Sequence, residues 1–432
     1  MTKLIFVELN EINFDYVERY ISRGYLPNFK SIIAEYGYSS TSSEKNYSEL
    51  EPWIQWVSVR TGKAYSEHKV FRLGDIEKSN INQHWEILES NGLEVAAISP
   101  INGSNRTKNS KFFIPDPWVN TPVSGDSFIQ KYSKAVSQAV NDNASNSLKF
   151  DTIITIVSAL LRYFQIGSIP SYIRGIWGAL KGYHWSRSLV FERLIGDTFI
   201  SLWKKYKPDF STVFLNSGAH IQHHYLFSSE VYDGEFKNPD WYVPHRNDPV
   251  LEILEIYDEI LADIIKLNCP IMIATGLTQI PYPRTTYYYR LKNHVDFFQR
   301  INFGKLKVVP RMSRDFLIEC ENKTESEQLS KYISNLQSKE GDKIFICDNR
   351  GSSIFVELIY DQEIKKDFSI FDINHNLVLE DFYIYVTFVA IKNGHHSELG
   401  YFIDSTKFQK KSDKVPVKEL FNRIMNHFGL EY

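Results

Sequence analysis

The chain is poor in cysteine, nearly balanced in charge and without any long apolar run. Three cysteines, Cys269, Cys320 and Cys347, are scattered over 432 residues. They form no C-x-x-C pair and no even-numbered framework, which excludes a disulfide-stapled scaffold and fits a reducing compartment. Lys plus Arg number 49 and Asp plus Glu 52, for a net charge of −3. A dedicated nucleic-acid binder carries a basic excess, so no nucleic acid is expected as a partner. No stretch approaches the ~20 consecutive apolar residues that a spanning helix needs. The first apolar run ends at Val7 and meets Glu8 at once, too short for a signal-peptide core. A cytoplasmic protein is the expectation.

What the chain does have is core-forming material. Hydrophobic residues are 43% and charged residues 23%, which excludes disorder as the main state. Aromatics reach 15%, enough for a large core and also for a carbohydrate-facing or membrane-facing surface. At ~150 residues per domain, the length implies about three units or one large α/β domain with insertions.

The order of patterns favours the second. Residues 3–9 (KLIFVEL) form a buried strand, followed by helices over 14–22 and 28–35, the latter opened by Pro27. Residues 52–61 are helical, with Pro52 in the first turn and Gly62 at the end. A helix over 81–91 and a strand over 94–98 follow. Strand patterns return at 210–215, 270–274 and 383–391, with helices at 250–266 and 417–428. This alternation implies an α/β fold with three layers, α/β/α, around a mostly parallel central sheet. Residues 104–111 and 140–149 are polar and loop-like, and 306–360 alternate strand-like runs with one polar helix near 325–337. Residues 152–182 are apolar and aromatic with scattered Arg and Lys, and no acid follows Asp151 until Glu192. That composition suits a helical cap packed on the core, or an interfacial segment making peripheral contact with a membrane.

Three places carry candidate chemistry. In NSGAHIQHHYLF, just after a strand, His220, His223 and His224 fall within five residues, and in a helix His220 and His224 share a face. A second pair, His395 and His396, follows the last long strand. C-terminal strand ends converge on one edge of a parallel sheet, where imidazoles would suit Zn²⁺ or a similar divalent ion, or serve as hydrogen-bonding groups in a polar crevice. Glu8 and Asn10, at the end of the first strand, would bind metal or substrate if partnered, or simply open the loop together with Glu11. Glu49 and Glu51 sit at the start of the 52–61 helix, either at an anion-favouring terminus or as ordinary first-turn acids. Trp53 and Trp56 are expected in the core.

These segments together resemble the alkaline phosphatase superfamily, in its phosphodiesterase and sulfatase-like branch. The resemblance runs through FVELNEINFDYVERYISRGYLPNFKSI, WVSVRTGKAYSEHKV, GAHIQHHY and NGHHSELG, in the family's order. It implies a core built from 1–103, 201–300 and 376–432, with a mostly helical cap insertion at 104–200 and a small α+β lobe at 301–375. It also implies metal ligands at His220, His224 and His396, as a single divalent site of three imidazoles, with zinc the expected ion. Several family features are altered. Glu8 or Asn10 stands for the first Asp, Glu51-Pro52 occupies the nucleophile position without a hydroxyl or thiol, and residues 274–282 lack the family's Asp-His pair. Direct attack by water, with Glu8 or Glu51 as base, replaces the family's covalent route. Asn10, His68, Arg72, His223, Tyr289, Arg290 and His395 are the expected substrate contacts. The expected substrate is a small-molecule or glycan-linked phosphate or sulfate ester, such as a phosphodiester, glycan precursor or nucleotide-sugar. The alternative is a catalytically inactive member that binds a ligand or partner.

Overall fold

The computed structural model describes residues 3–43, 50–141, 149–303, 306–310 and 314–432. Glu49 and most of the 140–149 stretch lie outside the described residues. The chain divides into two compact units, one formed by Met1–Pro281 with Gly394–Tyr432 and the other by Tyr282–Asn393.

The first unit is built on an eight-stranded sheet. The strands Leu4–Leu9 (β1), Ser39–Ser42 (β2), Val95–Ile98 (β3), Phe112–Ile114 (β4), Phe210–Leu215 (β5) and Ile271–Ala274 (β6) are joined by Leu399–Asp404 and Lys414–Pro416. β1 lies between β5 and β6, parallel to both, with Leu9 opposite Leu215 and Glu8 opposite Ala274. β3 joins β5 and β4, also in parallel. Leu399–Asp404 breaks the pattern by running antiparallel to β6 and β2. β1, β3, β5 and β6 are buried along their whole length, as strands with helices on both faces must be.

Helix starts and stops follow local chemistry. Pro52–Thr61 carries Pro at its first position and ends on Gly62, whose φ of 69° lies in the left-handed region. Pro249–Ile265 begins with Asp248 accepting a hydrogen bond from the Leu251 amide. The middle of the chain is helical through Ser127–Asn141, Phe150–Tyr163, Ile169–Leu180 and Ser186–Tyr206, while β4, inside the expected 104–200 insertion, is a strand of the central sheet. Among the described residues no single helix is long and apolar enough to cross a membrane. Phe150–Tyr163 and Ile166–Leu180 pass that test together by length and composition only, and they are bent by 119° at their break.

The second unit has its own antiparallel four-stranded sheet, ordered Phe345–Asn349, Ser353–Leu358, Asp315–Glu319, Lys307–Pro310. The helix Lys323–Ser334 and a separate core including Phe297, Phe316, Phe345 and Phe382 complete it. Its limits, 282–393, are wider than the 301–375 lobe expected from the sequence.

Candidate metal centre

At the C-terminal edge of β1, β5 and β6 the chain turns sharply. Glu11, two residues past β1, takes a φ of 61°, a left-handed conformation that costs a non-glycine residue free energy and needs surrounding structure to hold it. Both backbone groups of Glu11 are clamped. Its N–H donates to the Thr275 carbonyl at 3.0 Å, and its carbonyl accepts from Gln222 Nε2 at 3.0 Å. The turn drives the Glu11 carboxylate inside, where its residue is 2% exposed.

Two imidazoles meet it there. His223 Nε2 lies 3.1 Å and His396 Nε2 3.2 Å from Glu11 Oε2. Their ring centroids are 5.0 Å apart. The helix Ser217–Tyr225 supplies His223, and the strand Val386–Ser397 supplies His396. Gly394 lets these segments approach. A Cβ there would sit 2.2 Å from Gln279 Oε1 and 2.9 Å from the Gln222 carbonyl oxygen. Gln279 Nε2 donates to Glu11 Oε2, and Asn10 Nδ2 donates to Oε1 at 3.0 Å.

The outward nitrogens of both rings are engaged by acceptors. His223 Nδ1 is 3.2 Å from the Gly394 carbonyl, which can only accept, so Nδ1 carries the proton. His396 donates to the Leu50 carbonyl and stands 3.6 Å through Nδ1 from Glu51 Oε2. His396 Nε2 is buried and not aligned for a hydrogen bond among the described residues. Both Nε2 atoms therefore point at a carboxylate oxygen with the opposite ring nitrogen fixed by an acceptor. Metal-binding histidines show this arrangement, and it leaves Nε2 lone pairs facing an anion unless a cation or proton lies between them.

Charge follows the same logic. Burial alone would raise the proton affinity of Glu11, but His396 and His223 outweigh it and hold the carboxyl well below its ordinary range. For His396 burial acts downward, and Glu11, Glu51 and the Leu50 carbonyl overcome it, raising the imidazole above its ordinary value. The pocket draws positive charge. One carboxylate and two imidazoles, with ligand atoms within 4.8 Å of one another, form a donor set suited to a divalent ion with open positions.

Of the expected ligands His220, His224 and His396, the structure puts only His396 in this group. His220 and His224 are neighbours on one helix face, 4.8 Å between ring centroids. The face turned toward β1 holds Gly218, Ala219 and Gln222, and His223 borders it. His223, expected as a substrate contact, lies in the cluster, and so does Glu11, which the sequence pattern places only in the loop. Glu51 lies at its rim, a third exposed, while His395 stands half-buried in the same turn.

Other expected site residues have different partners. Glu8 is fully buried, ion-paired with Arg60 and hydrogen-bonded by Thr212 Oγ1 at 2.7 Å, so both its oxygens are committed. Asn10 is saturated by Glu11, Asn216 and Trp56 Nε1, the last at 2.7 Å. His68 bonds Ser58 Oγ at 3.1 Å and accepts from the Val70 amide at 3.0 Å, and burial pushes it down to about 4. Arg72 is exposed, with its amide donating to Asp75 at 3.0 Å. Tyr289 and Arg290 belong to the second unit, where the buried Tyr289 hydroxyl accepts from the Ile364 amide.

No protein-family model matches the chain, and no curated protein does. Among solved structures it is similar to phosphonoacetate hydrolase from Sinorhizobium meliloti 1021 in complex with phosphonoformate. The identity is 12% and the TM-score 0.44, over 99% of this chain and 95% of that one. It is also similar to murine ectonucleotide pyrophosphatase/phosphodiesterase 5, at 10% identity and a TM-score of 0.41, over 100% and 96% of the two chains.

Proposed function

We propose that the protein is a hydrolase or transferase of phosphate or sulfate esters, of the alkaline phosphatase type, dependent on one divalent cation held by Glu11, His223 and His396. The observation that carries this reading is the pair of imidazoles whose outer nitrogens are tied to acceptors while both Nε2 atoms face one buried carboxylate. His396 Nε2, buried and without an aligned hydrogen bond, is the atom whose surroundings a cation would complete. A bound cation would supply Lewis-acid polarisation of an ester oxygen and a lowered pKa for bound water.

The chain's own residues have separable tasks. Glu11, His223 and His396 fix the position of charge. Gln279 and Asn10 orient the Glu11 carboxylate through hydrogen bonds to different oxygens. Glu51 is the partly exposed carboxylate at the rim and accepts the proton from an attacking water, a role that Glu8 cannot fill while bound to Arg60. Pro52, first residue of its helix, offers no nucleophilic side chain, which favours direct attack by water over a covalent intermediate.

The test is an assay of purified, cation-loaded protein on aryl phosphate, bis-aryl phosphate and aryl sulfate, with Glu51→Gln alongside. Turnover of one class, reduced on the order of 10²–10⁴-fold in Glu51→Gln, is expected for loss of a general base. Flat rates on all three substrates with the cation bound would leave a ligand-binding protein in place of an enzyme.

A further inference from the structure

Two helices of the first unit are amphipathic in the reverse sense. Phe150–Tyr163 turns Thr152, Ala159 and Tyr163 inward and Phe150, Ile154, Val157 and Leu161 outward. In Ile169–Leu180 the inward side is Ser171, Tyr172, Gly175 and Gly178, with the Tyr172 hydroxyl donating to Asp197 at 2.9 Å, and the two glycines sit so close to Ser186–Tyr206 that a Cβ would meet Val190 or Ser186. Ile173, Trp177 and Leu180 face out. Exposure reaches 82% at Ile166, 76% at Leu180, 75% at Phe150 and 73% at Leu161. An ordinary water-facing helix puts such residues on its buried side, and a continuous apolar patch marks an interaction surface.

Charge narrows the occupant. Residues 152–191 contain no Asp or Glu but carry Arg162, Arg174, Lys181 and Arg187. Arg162 and Arg174 are tied to Asp126 and Glu255. Lys181 and Arg187 are exposed and make no ion pair among the described residues. The Lys181 ammonium lies 5.4 Å from the centroid of the Trp177 ring, so a free cation borders the apolar face.

The geometry points to a docking surface for a lipid bilayer with anionic headgroups, the two helices lying in the plane of the interface. Its apolar side chains enter the acyl boundary, while Lys181 and Arg187 meet the headgroup phosphates. Neither helix is long enough to span, and the 119° bend suits a pair that rests on the surface. This inference is independent of the metal centre.

Co-sedimentation of the full chain with vesicles tests it, comparing phosphatidylcholine alone with an equimolar mixture of phosphatidylcholine and phosphatidylserine. The protein is expected to pellet with the anionic vesicles, less so at high salt. Ile173→Glu and Trp177→Glu should each weaken partitioning on the order of tenfold. Both side chains are exposed, so the variants should keep the parent's circular dichroism and melting temperature. As a second readout, lipids brominated near the headgroup should quench the parent's tryptophan emission more than that of Trp177→Phe. The inference is overturned if the parent stays in the supernatant with both vesicles, or if Ile173→Glu and Trp177→Glu pellet as the parent does. It is equally overturned if light scattering without lipid shows a dimer that Trp177→Glu dissolves, since the face then belongs to a second copy.

Discussion

Glu8 and Glu11 are two buried carboxylates three residues apart, and their surroundings differ in kind. Glu8 lies inside β1, opposite Ala274, and is neutralised by the Arg60 guanidinium, which engages both carboxylate oxygens. Arg60 is itself enclosed by the rings of Trp56, Trp85 and Phe214, each within 6 Å of its centre. Glu11 lies past the strand in a strained turn and faces imidazoles, which can surrender a proton to make room for a cation. The first carboxylate is a closed structural pair and the second an open one. Burial of a charge alone does not mark a functional site; what distinguishes one is whether the countercharge can be exchanged.

The largest effect expected from breaking this contrast is at the closed pair. Arg60→Ala would strand Glu8 as a buried, unpaired charge and cost about 3–5 kcal/mol in urea unfolding. The double variant Glu8→Leu with Arg60→Met would recover most of that loss, since an apolar pair can replace a buried ion pair. A double variant as unstable as the single one would contradict the structural assignment of Glu8. The open pair should behave in the opposite way. Glu11→Gln should change stability by only ~1 kcal/mol while weakening divalent-ion binding by at least the ~10–100-fold that loss of a supporting hydrogen bond produces. Calorimetric titration of metal-stripped protein reads the second quantity and urea unfolding the first.

A smaller effect is expected where the two segments carrying the imidazoles touch. Gly394→Ala places a methyl group against Gln279 and the Gln222 carbonyl, costing about 1–3 kcal/mol and loosening ion binding with it. Unchanged ion affinity in that variant would show that the Gly394 turn does not set the position of His396.

A pH-dependent effect, and one that sharpens the comparison, comes from a histidine of the closed kind. His68 Nδ1 accepts from the Val70 amide and so is unprotonated, and burial pushes its pKa to about 4 against ~6.5 in the unfolded chain. Between those values the unfolded state binds the extra proton. Stability from neutral His68 is therefore complete above pH ~6.5 and lost as pH falls toward 4, at on the order of 1 kcal/mol per pH unit. Thermal unfolding of His68→Gln should be less acid-sensitive than the parent across that window. Parallel pH profiles would remove the assignment.

Much of the core was legible in the sequence because local chemistry decides it. Pro52 and Gly62 bracket their helix, and the apolar runs at 4–9, 210–215 and 271–274 could only be buried strands. The meeting of the 217–225 helix with the 394–397 segment was legible only in part: the helix does follow a central strand, but His396 lies within Val386–Ser397, which pairs with Thr278–Leu291 in a separate two-stranded sheet and does not end a central strand. The rotation of that helix was not. His220 and His224 have the spacing of a ligand pair, yet helix orientation is set by packing of Gly218, Ala219 and Gln222 against the first turn, which no local pattern encodes. Glu11 was hidden for a related reason. Its inward direction depends on a positive φ at a residue that ordinarily avoids one. In 150–182 the apolar content was plain, but not its outward direction, because a helical period gives a face without saying which way it points.

The most direct test of the account is elemental analysis of metal bound to the purified chain after exposure to Zn²⁺, Mn²⁺ and Mg²⁺ in turn, for the parent and for single alanine variants of His220, His223, His224 and His396. The account predicts one divalent ion per chain for the parent, with binding lost in His223→Ala and His396→Ala and kept in His220→Ala and His224→Ala. Loss in His224→Ala with retention in His223→Ala, or no bound ion in the parent, would contradict it.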